Sequence, residues 1–346
     1  MAAWLDCRVE AVIVAGGPGT RMLPLTTHRP KHLLPVGGVP FVVHQLAKLS
    51  AAGVKRVVLA TSYYADQFEP VLGDGSRWHL ELIYVRESER LGTGGAIRNA
   101  ARHLTSGVTD PVVVLNGDIL SGHNLSDQLA LHRDREADVT LHLVEVDDAR
   151  PFGCVQTDMN AAVTAFVEKS PVPACRQVNA GCYIFARGVI EQMPAGRVLS
   201  VERETFPSLI SEGRCVSGYL ETAYWRDIGT PVALCAASSD LVLGRVTSPA
   251  YGFDPAGKWV SDLAIVDESA VISGGSTIGP CSVIGAAAKV EGSVVDEQAR
   301  LGDRSAVIDS VVGAGAVIGP DVVLRGGAVA DRQGVSCQIY PSGESS

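Results

Sequence analysis

Two cations and two acids in this chain stand where they could manage a phosphate. Arg21 follows directly on the run Gly16-Gly17-Pro18-Gly19-Thr20, and Lys31 lies ten residues further on. Glycine lets a backbone turn tightly and approach a ligand closely, and successive N–H groups in such a turn form a concave anion site. With Arg21 and Lys31 on its flanks, that site suits a triphosphate. Asp118 ends the run Val114-Leu115-Asn116-Gly117-Asp118, and Asp227 lies in Tyr224-Trp225-Arg226-Asp227-Ile228-Gly229-Thr230-Pro231. Carboxylates of this kind hold Mg²⁺, which takes one or two of them and fills its shell with phosphate oxygens and water. Each also reads as a turn or cap residue, Asp227 standing before a helix expected from Thr230.

Residues so placed need rigid elements behind them. The all-apolar run at 11–15 predicts a strand buried on both faces. Phe41–Ala51 has helical spacing and stops before Gly53. Further strands are expected at 54–61, 80–85 and 111–115, and helices at 65–71 and 95–104. This alternation implies a mostly parallel sheet covered on both faces, with ligands bound beyond the carboxyl ends of its strands. The glycine turn, Gly92-Thr93-Gly94 and Asn116-Gly117-Asp118 then share one rim. Strands at 138–146, Gly153–Thr157, 162–168 and 179–185 follow without long helices, which predicts an antiparallel lobe for a second substrate. A closing helix is expected at 230–243.

Beyond Tyr251 the texture changes. Val266, Ile272, Ile278, Ile284 and Val290 recur six apart; after a five-residue step come Val295, Leu301 and Val307, and after another Val312, Ile318, Leu324 and Ala330. That period predicts a left-handed β-helix of about four coils. The expected divisions are a catalytic domain at 1–245, a linker at 246–258, the β-helix at 259–334 and a tail at 335–346, disordered at its end.

With 346 residues, 46% hydrophobic and 19% charged, the chain has a substantial core. Its net charge of −9 argues against nucleic acid as a partner, though not against a nucleotide. The eight cysteines show no C-x-x-C pair. Cys7, Cys154, Cys182 and Cys235 sit among apolar residues, as buried thiols of a reducing cytoplasm do. No signal peptide and no apolar run long enough to span a bilayer are present, so a cytoplasmic protein without a membrane partner is expected.

The stretch from Gly16 to Lys31 resembles the G-G-x-G-T-R-x-x-P-L-T-x-x-x-P-K pattern of the sugar-1-phosphate nucleotidyltransferases, with His32 where that family usually has proline. The likeness runs to about Ala330 and is nearest to the GDP-mannose pyrophosphorylases, through Val201-Glu202-Arg203-Glu204-Thr205-Phe206-Pro207 and the segment around Asp227. It implies a Rossmann-like α/β nucleotidyltransferase domain followed by the β-helix. Ala15, Gly16, Gly17, Gly19 and Thr20 would bind the nucleotide, with Arg21 and Lys31 catalytic and Asp118 and Asp227 the paired ligands of Mg²⁺. Glu168-Lys169 resembles the sugar-side E-K-P motif, although Ser170 precedes the proline here; Lys169 would hold the sugar phosphate and Glu168 the hydroxyls. Asn179 and Gly181 match N-A-G-x-Y, and Gly153 matches a glycine below the sugar.

The stretch 87–94 resembles the family's L-G-T-A-G base pocket and brings in Glu87, Gly92 and Thr93. Relatives that use UTP or dTTP tend to carry glutamine where this chain has Glu87. A carboxylate accepts both the N1–H and the N2 amine of guanine, which favours GTP. The implied reaction is attack by a sugar 1-phosphate oxygen on the α-phosphorus, with pyrophosphate leaving. No general base is needed, and catalysis is positioning and charge neutralisation. Mannose 1-phosphate is the default acceptor. His32, Ser170 and Cys182 depart from the usual pocket, and a related subgroup in aminocyclitol antibiotic biosynthesis activates a cyclitol phosphate such as valienol 1-phosphate. A non-catalytic regulatory subunit that binds nucleotide sugar is a further reading. An acyltransferase built on the β-helix is not favoured: all eight histidines lie at or before His142, so the coils lack a base. They are expected to serve structure or homo-oligomer assembly.

Overall fold

Apolar runs broken by glycine turns give a chain of strands and helices, described over residues 9–251 and 257–338 of a computed structural model. Cys7, part of the expected linker and most of the expected tail lie outside the described residues. In chain order the first elements are β1 (Glu10–Ala15), the hairpin β2 (Pro35–Val36) and β3 (Val39–Pro40), α1 (Phe41–Ala51), β4 (Arg56–Thr61), α2 (Phe68–Leu72), β5 (Glu81–Arg86) and α3 (Gly92–Ala100). Then come β6 (Pro111–Asn116), β7 (Ile119–Ser121), α4 (Leu125–Asp134), β8 (Val139–Glu145), β9 (Gly153–Thr157), β10 (Val163–Glu168) and β11 (Gln177–Ala186). α5 (Arg187–Gln192), α6 (Phe206–Ser211), β12 (Val216–Leu220), β13 (Trp225–Asp227) and α7 (Pro231–Val242) complete the part before the coils. Residues 1–17 and 45–225 form one compact unit, and 18–44 with 226–346 form a second.

The first unit is built on a nine-stranded sheet ordered β10-β9-β11-β6-β1-β4-β5, with β8 on β11 and β12 on β8. β1 runs parallel to both β4 and β6, and β4 runs parallel to β5. β1 is central because its apolar residues are covered on both faces: Ala11, Val12 and Ile13 are wholly buried. The expected antiparallel strands are present and join the same sheet. β11 is ten residues long: β8 pairs antiparallel with both its halves, while β9 meets its first half and β6 its second. One long strand therefore carries the antiparallel strands into the same sheet. The helix expected at 95–104 begins earlier, at Gly92, and gives way to a 3₁₀ turn at Ala101–His103.

In the second unit, fourteen short strands form three parallel faces of a left-handed β-helix. Val260, Ile278, Val295, Val312 and Val329 stack in register on one face. Val266, Ile284, Leu301, Ile318 and Val335 stack on the second, and Ile272, Val290, Val307 and Leu324 on the third. One expectation is corrected. Val329, not Ala330, lies beneath Val312, because a third five-residue step after Leu324 keeps the coil at 17 residues. Aliphatic side chains fill the interior, and Ile278, Val290, Val307, Val312 and Leu324 have no exposed surface.

Candidate functional site

Within the first unit, the parallel strands bring four predicted segments to one edge of the sheet. Gly16 and Gly17 leave β1, and the Gly16 carbonyl accepts a hydrogen bond from Ser62 Oγ just past β4. Glu87 follows β5, its backbone N–H bonded to Thr61 O at 2.8 Å. Ser62, Tyr63, Arg86, Glu87, Glu89 and Arg90 line a cavity of about 270 Å³. Arg90 lies over the Tyr63 ring at 4.8 Å, forming one wall. Glu87 is 8% exposed, and its Oε1 is buried with no hydrogen-bond partner among the described residues. Burial pushes its carboxyl above the ordinary range, against a hydrogen bond from the Leu91 backbone. A buried carboxylate oxygen lacking a donor is costly, so its presence at a pocket marks a place for a ligand's N–H. A larger cavity of about 520 Å³, lined by His132, Asp138 and Arg214 among others, contains none of the predicted site residues.

Gly92 and Thr93 form the first turn of α3 instead of a loop. The Gly94 N–H is bonded to Leu199 O at 2.8 Å, and the Val201 N–H donates to Thr93 Oγ1 at 3.1 Å. Thr93 Oγ1 donates to Glu202 Oε2 at 2.7 Å, and Tyr183 OH lies 3.5 Å from the other oxygen of Glu202. Asn179 Nδ2 and Asn116 Nδ2 both donate to Tyr183 OH, at 2.8 and 3.3 Å. One hydrogen-bonded chain thus runs from the predicted base segment through Glu202 and Tyr183 to the predicted sugar strand and the Asn116–Asp118 turn. Asn116 Oδ1 is buried without a partner among the described residues, a second open acceptor on this edge.

The residues predicted for the sugar side lie on β9, β10 and β11 and the turn after β10. A Cβ on Gly153 would stand 2.8 Å from Glu168 Oε2 and from the Phe166 ring, so only glycine lets β9 pass beneath that carboxylate. Lys169 Nζ is 3.7 Å from Glu168 Oε1 and 61% exposed. Burial raises the Glu168 pKa, and Glu202 raises it further; Lys169 and Arg203 act against both. Gly181, at φ 75°, sits in a register shift between Asn179 and Tyr183, where β11 bulges towards Asn116. Glu202 is the functional candidate that sequence reasoning missed. It lay inside the quoted 201–207 stretch, but nothing in the residue types told it from Glu204, which pairs with Arg197 at 2.9 Å.

The turn bearing Asp118 is held from behind by α1. Gln45 Nε2 donates to Asn116 O and Ile119 O at 2.8 and 3.2 Å, and Lys48 Nζ donates to Ser121 O at 2.9 Å. Lys48 also reaches His123 Nδ1 at 2.8 Å, and His123 Nε2 meets Gln128 Oε1 at 3.1 Å. His142 stacks on His123 at 3.9 Å, and both its ring nitrogens are buried without partners among the described residues. Burial drives the Lys48 pKa down to about 8, those of His44 and His132 to about 4 and that of His142 to about 3. These histidines are neutral in the fold and protonate near pH 6.5 once unfolded, so below that pH the unfolded chain binds more protons and stability falls. The slope approaches about 1.4 kcal/mol per pH unit for each ring. The midpoint of thermal unfolding is therefore expected to drop steeply below about pH 6.5; a flat profile from pH 7.5 to 5 would contradict burial of these rings.

In the second unit the cationic segment folds on itself. Gly19, at φ 64°, opens a 3₁₀ turn over Thr20–Met22, and Thr26 Oγ1 donates to Gly19 O at 2.8 Å. Lys31 opens another 3₁₀ turn, Lys31–Leu33, after Pro30. Arg21, 66% exposed, lies 3.7 Å from Asp227 Oδ2. Thr230, not Asp227, caps α7, its hydroxyl accepting from the Ala233 N–H at 3.2 Å. Asp118 is no helix cap either, since it leads into β7. Arg29 donates to Asp296 and, at 3.0 Å, to Asp331, both in the β-helix. Among the described residues no three His, Cys, Asp or Glu side chains form a metal cage of their own.

The nucleotidyl transferase family profile matches residues 10–242. A mannose-1-phosphate guanylyltransferase of Mycobacterium tuberculosis is 45% identical over 295 residues, 85% of this chain and 81% of that protein. A probable mannose-1-phosphate guanylyltransferase 1 of Oryza sativa is 30% identical, over 90% of this chain and 88% of that protein. HddC from Yersinia pseudotuberculosis, in one structure complexed with GMP-PN, superposes with a TM-score of 0.57 at 29% identity, covering 67% of this chain and 98% of HddC.

Proposed function

The chain belongs to the nucleotidyl transferase family, and from that premise we propose that it joins GTP to a sugar 1-phosphate, mannose 1-phosphate by default, and releases pyrophosphate. The observation that carries the guanine preference is the buried, unpartnered Oε1 of Glu87 at its pocket. Guanine offers two N–H donors on one edge, and this carboxylate has the acceptor to receive them. The M. tuberculosis relative and the GMP-PN complex of HddC support the same nucleotide.

In this reading the amides of Gly16, Gly17, Gly19 and Thr20 and the guanidinium of Arg21 bind the β- and γ-phosphates, beside Ala15, while Lys31 offsets charge at the α-phosphate. Asp118 and Asp227 hold a divalent cation, Mg²⁺ by the chemistry of the donors. When bound, that ion neutralises phosphate charge. Lys169 holds the phosphate of the acceptor, and Glu168, Asn179 and Glu202 receive its hydroxyls above Gly153. The acceptor phosphate is already anionic, so the protein orients it in line with the leaving pyrophosphate and removes no proton.

The cyclitol alternative is not favoured, since the matched relatives are mannose-1-phosphate guanylyltransferases. Cys182 is buried with its Sγ on Gln128 of α4, His32 is buried, and Ser170 closes a local turn on Val172 O. The test is pyrophosphate release from each nucleoside triphosphate crossed with a panel of sugar and cyclitol phosphates. GTP with mannose 1-phosphate is expected to give the highest kcat/KM; higher turnover with UTP than with GTP would reject the guanine assignment.

A further inference from the structure

Cys154 and Cys175 stand outside every role assigned above, yet their sulfur atoms lie 2.7 Å apart. Both are free thiols, Cys154 buried and Cys175 partly exposed. Cys154 is the second residue of β9, paired with Val167 of β10 and Val178 of β11. Cys175 lies near the end of the connection from β10 to β11, and its thiol points at Val155 O and Gln177 O at 3.2 and 3.4 Å. The chain between the two sulfurs contains β10 with Glu168 and, just after it, Lys169, whose N–H is tied to Phe152 O at 3.1 Å.

We propose that Cys154 and Cys175 form a reversible redox site, closing to a disulfide that fixes the Lys169 connection against β9. The oxidant is a hydroperoxide, hydrogen peroxide in the simplest case. The Cys175 thiolate attacks one peroxide oxygen, the O–O bond breaks, and one water leaves as the sulfenic acid forms. Cys154 sulfur then attacks Cys175 sulfur, the S–O bond breaks, and a second water leaves. Two sulfurs give up two electrons, and the two thiol protons end in the two waters. Burial, together with the neighbouring Cys154 thiol, pushes Cys175 up to about 11, so thiolate is scarce at neutral pH and closure accelerates as pH rises. A thiol-based reductant reopens the bond.

The cross-link itself stands apart from the proposed reaction; its effect on the acceptor rests on the reading of Lys169 as a phosphate ligand. Bonding residue 175 to β9 restrains the segment that follows Lys169, while Glu87 and the glycine turn lie outside the closed loop. The expected result is a rise of at least threefold in KM for the sugar phosphate with KM for GTP unchanged.

The experiment uses the full chain with Cys215, Cys281 and Cys337, the thiols exposed among the described residues, replaced by serine, and the same protein carrying Cys175→Ser. Each is treated with hydrogen peroxide, then digested without reduction and mapped by mass. A peptide pair joined through 154 and 175, 2 Da lighter than the sum of its parts (two hydrogens lost), is expected only where Cys175 is present. The KM shift should accompany it and disappear with dithiothreitol. No 154–175 cross-link after overnight peroxide at pH 9 would overturn the site, and a quantitative cross-link with unchanged KM would overturn its effect. Should another sugar phosphate prove to be the acceptor, the mass map still reads the cross-link and KM is measured with that substrate.

Discussion

Asp118→Asn is expected to lower kcat for pyrophosphate release by about 10³-fold, the scale on which removing one electrostatic stabiliser acts. The substitution keeps shape and removes charge. The turn it sits in is anchored through backbone carbonyls to Gln45 and Lys48, bonds that the substitution leaves in place. Far-ultraviolet circular dichroism and the thermal midpoint should match the parent, while the Mg²⁺ concentration giving half-maximal rate should rise. A variant retaining full activity at the same Mg²⁺ would remove Asp118 from the metal site. The metal and the acid act on the same step, so this loss should fall in kcat and leave KM for GTP little moved.

The second large effect concerns nucleotide choice. Glu87→Gln replaces a double acceptor by an amide with one acceptor and one donor, and turns the donor towards guanine N–H groups. Hydrogen bonds to a charged group contribute about 1.5–3 kcal/mol, so kcat/KM for GTP should fall by about 10- to 100-fold, while that for UTP holds or rises. The raised pKa adds a pH signature. Guanine binding needs the ionised carboxylate, so acidification should weaken GTP through a pKa above the usual carboxylate value of 4.5, and the glutamine variant should lack that step. Equal loss for GTP and UTP would mean that Glu87 supports the pocket wall without reading the base.

The architecture was largely legible because its signals are periodic. β1 announced itself as five apolar residues before a glycine turn, α1 matched its expected bounds, and the β-helix followed from aliphatic spacing until a third short step moved Val329 into the place given to Ala330. α4 escaped because its inner face mixes Leu125 and Leu129 with Gln128 and His132, which dilutes the apolar period. The antiparallel strands were found, but their union with the main sheet depends on β11 exchanging β9 for β6 along one edge, which no local pattern encodes. At the site, motif residues could be named from the sequence, whereas Glu202 and the Cys154–Cys175 contact needed the fold, since each joins segments far apart in the chain.

Arg29 lies between Arg21 and Lys31, and its guanidinium is clasped by Asp296 and Asp331 from the coils. Head and tail of the chain are therefore mechanically geared. Inserting or deleting a coil between those two acids would slide one of them out of reach and loosen the segment that carries Arg21 and Lys31, even if every other coil stacked perfectly. Natural variation in coil number should accordingly occur outside the span from Asp296 to Asp331, with that span itself inherited as a fixed length.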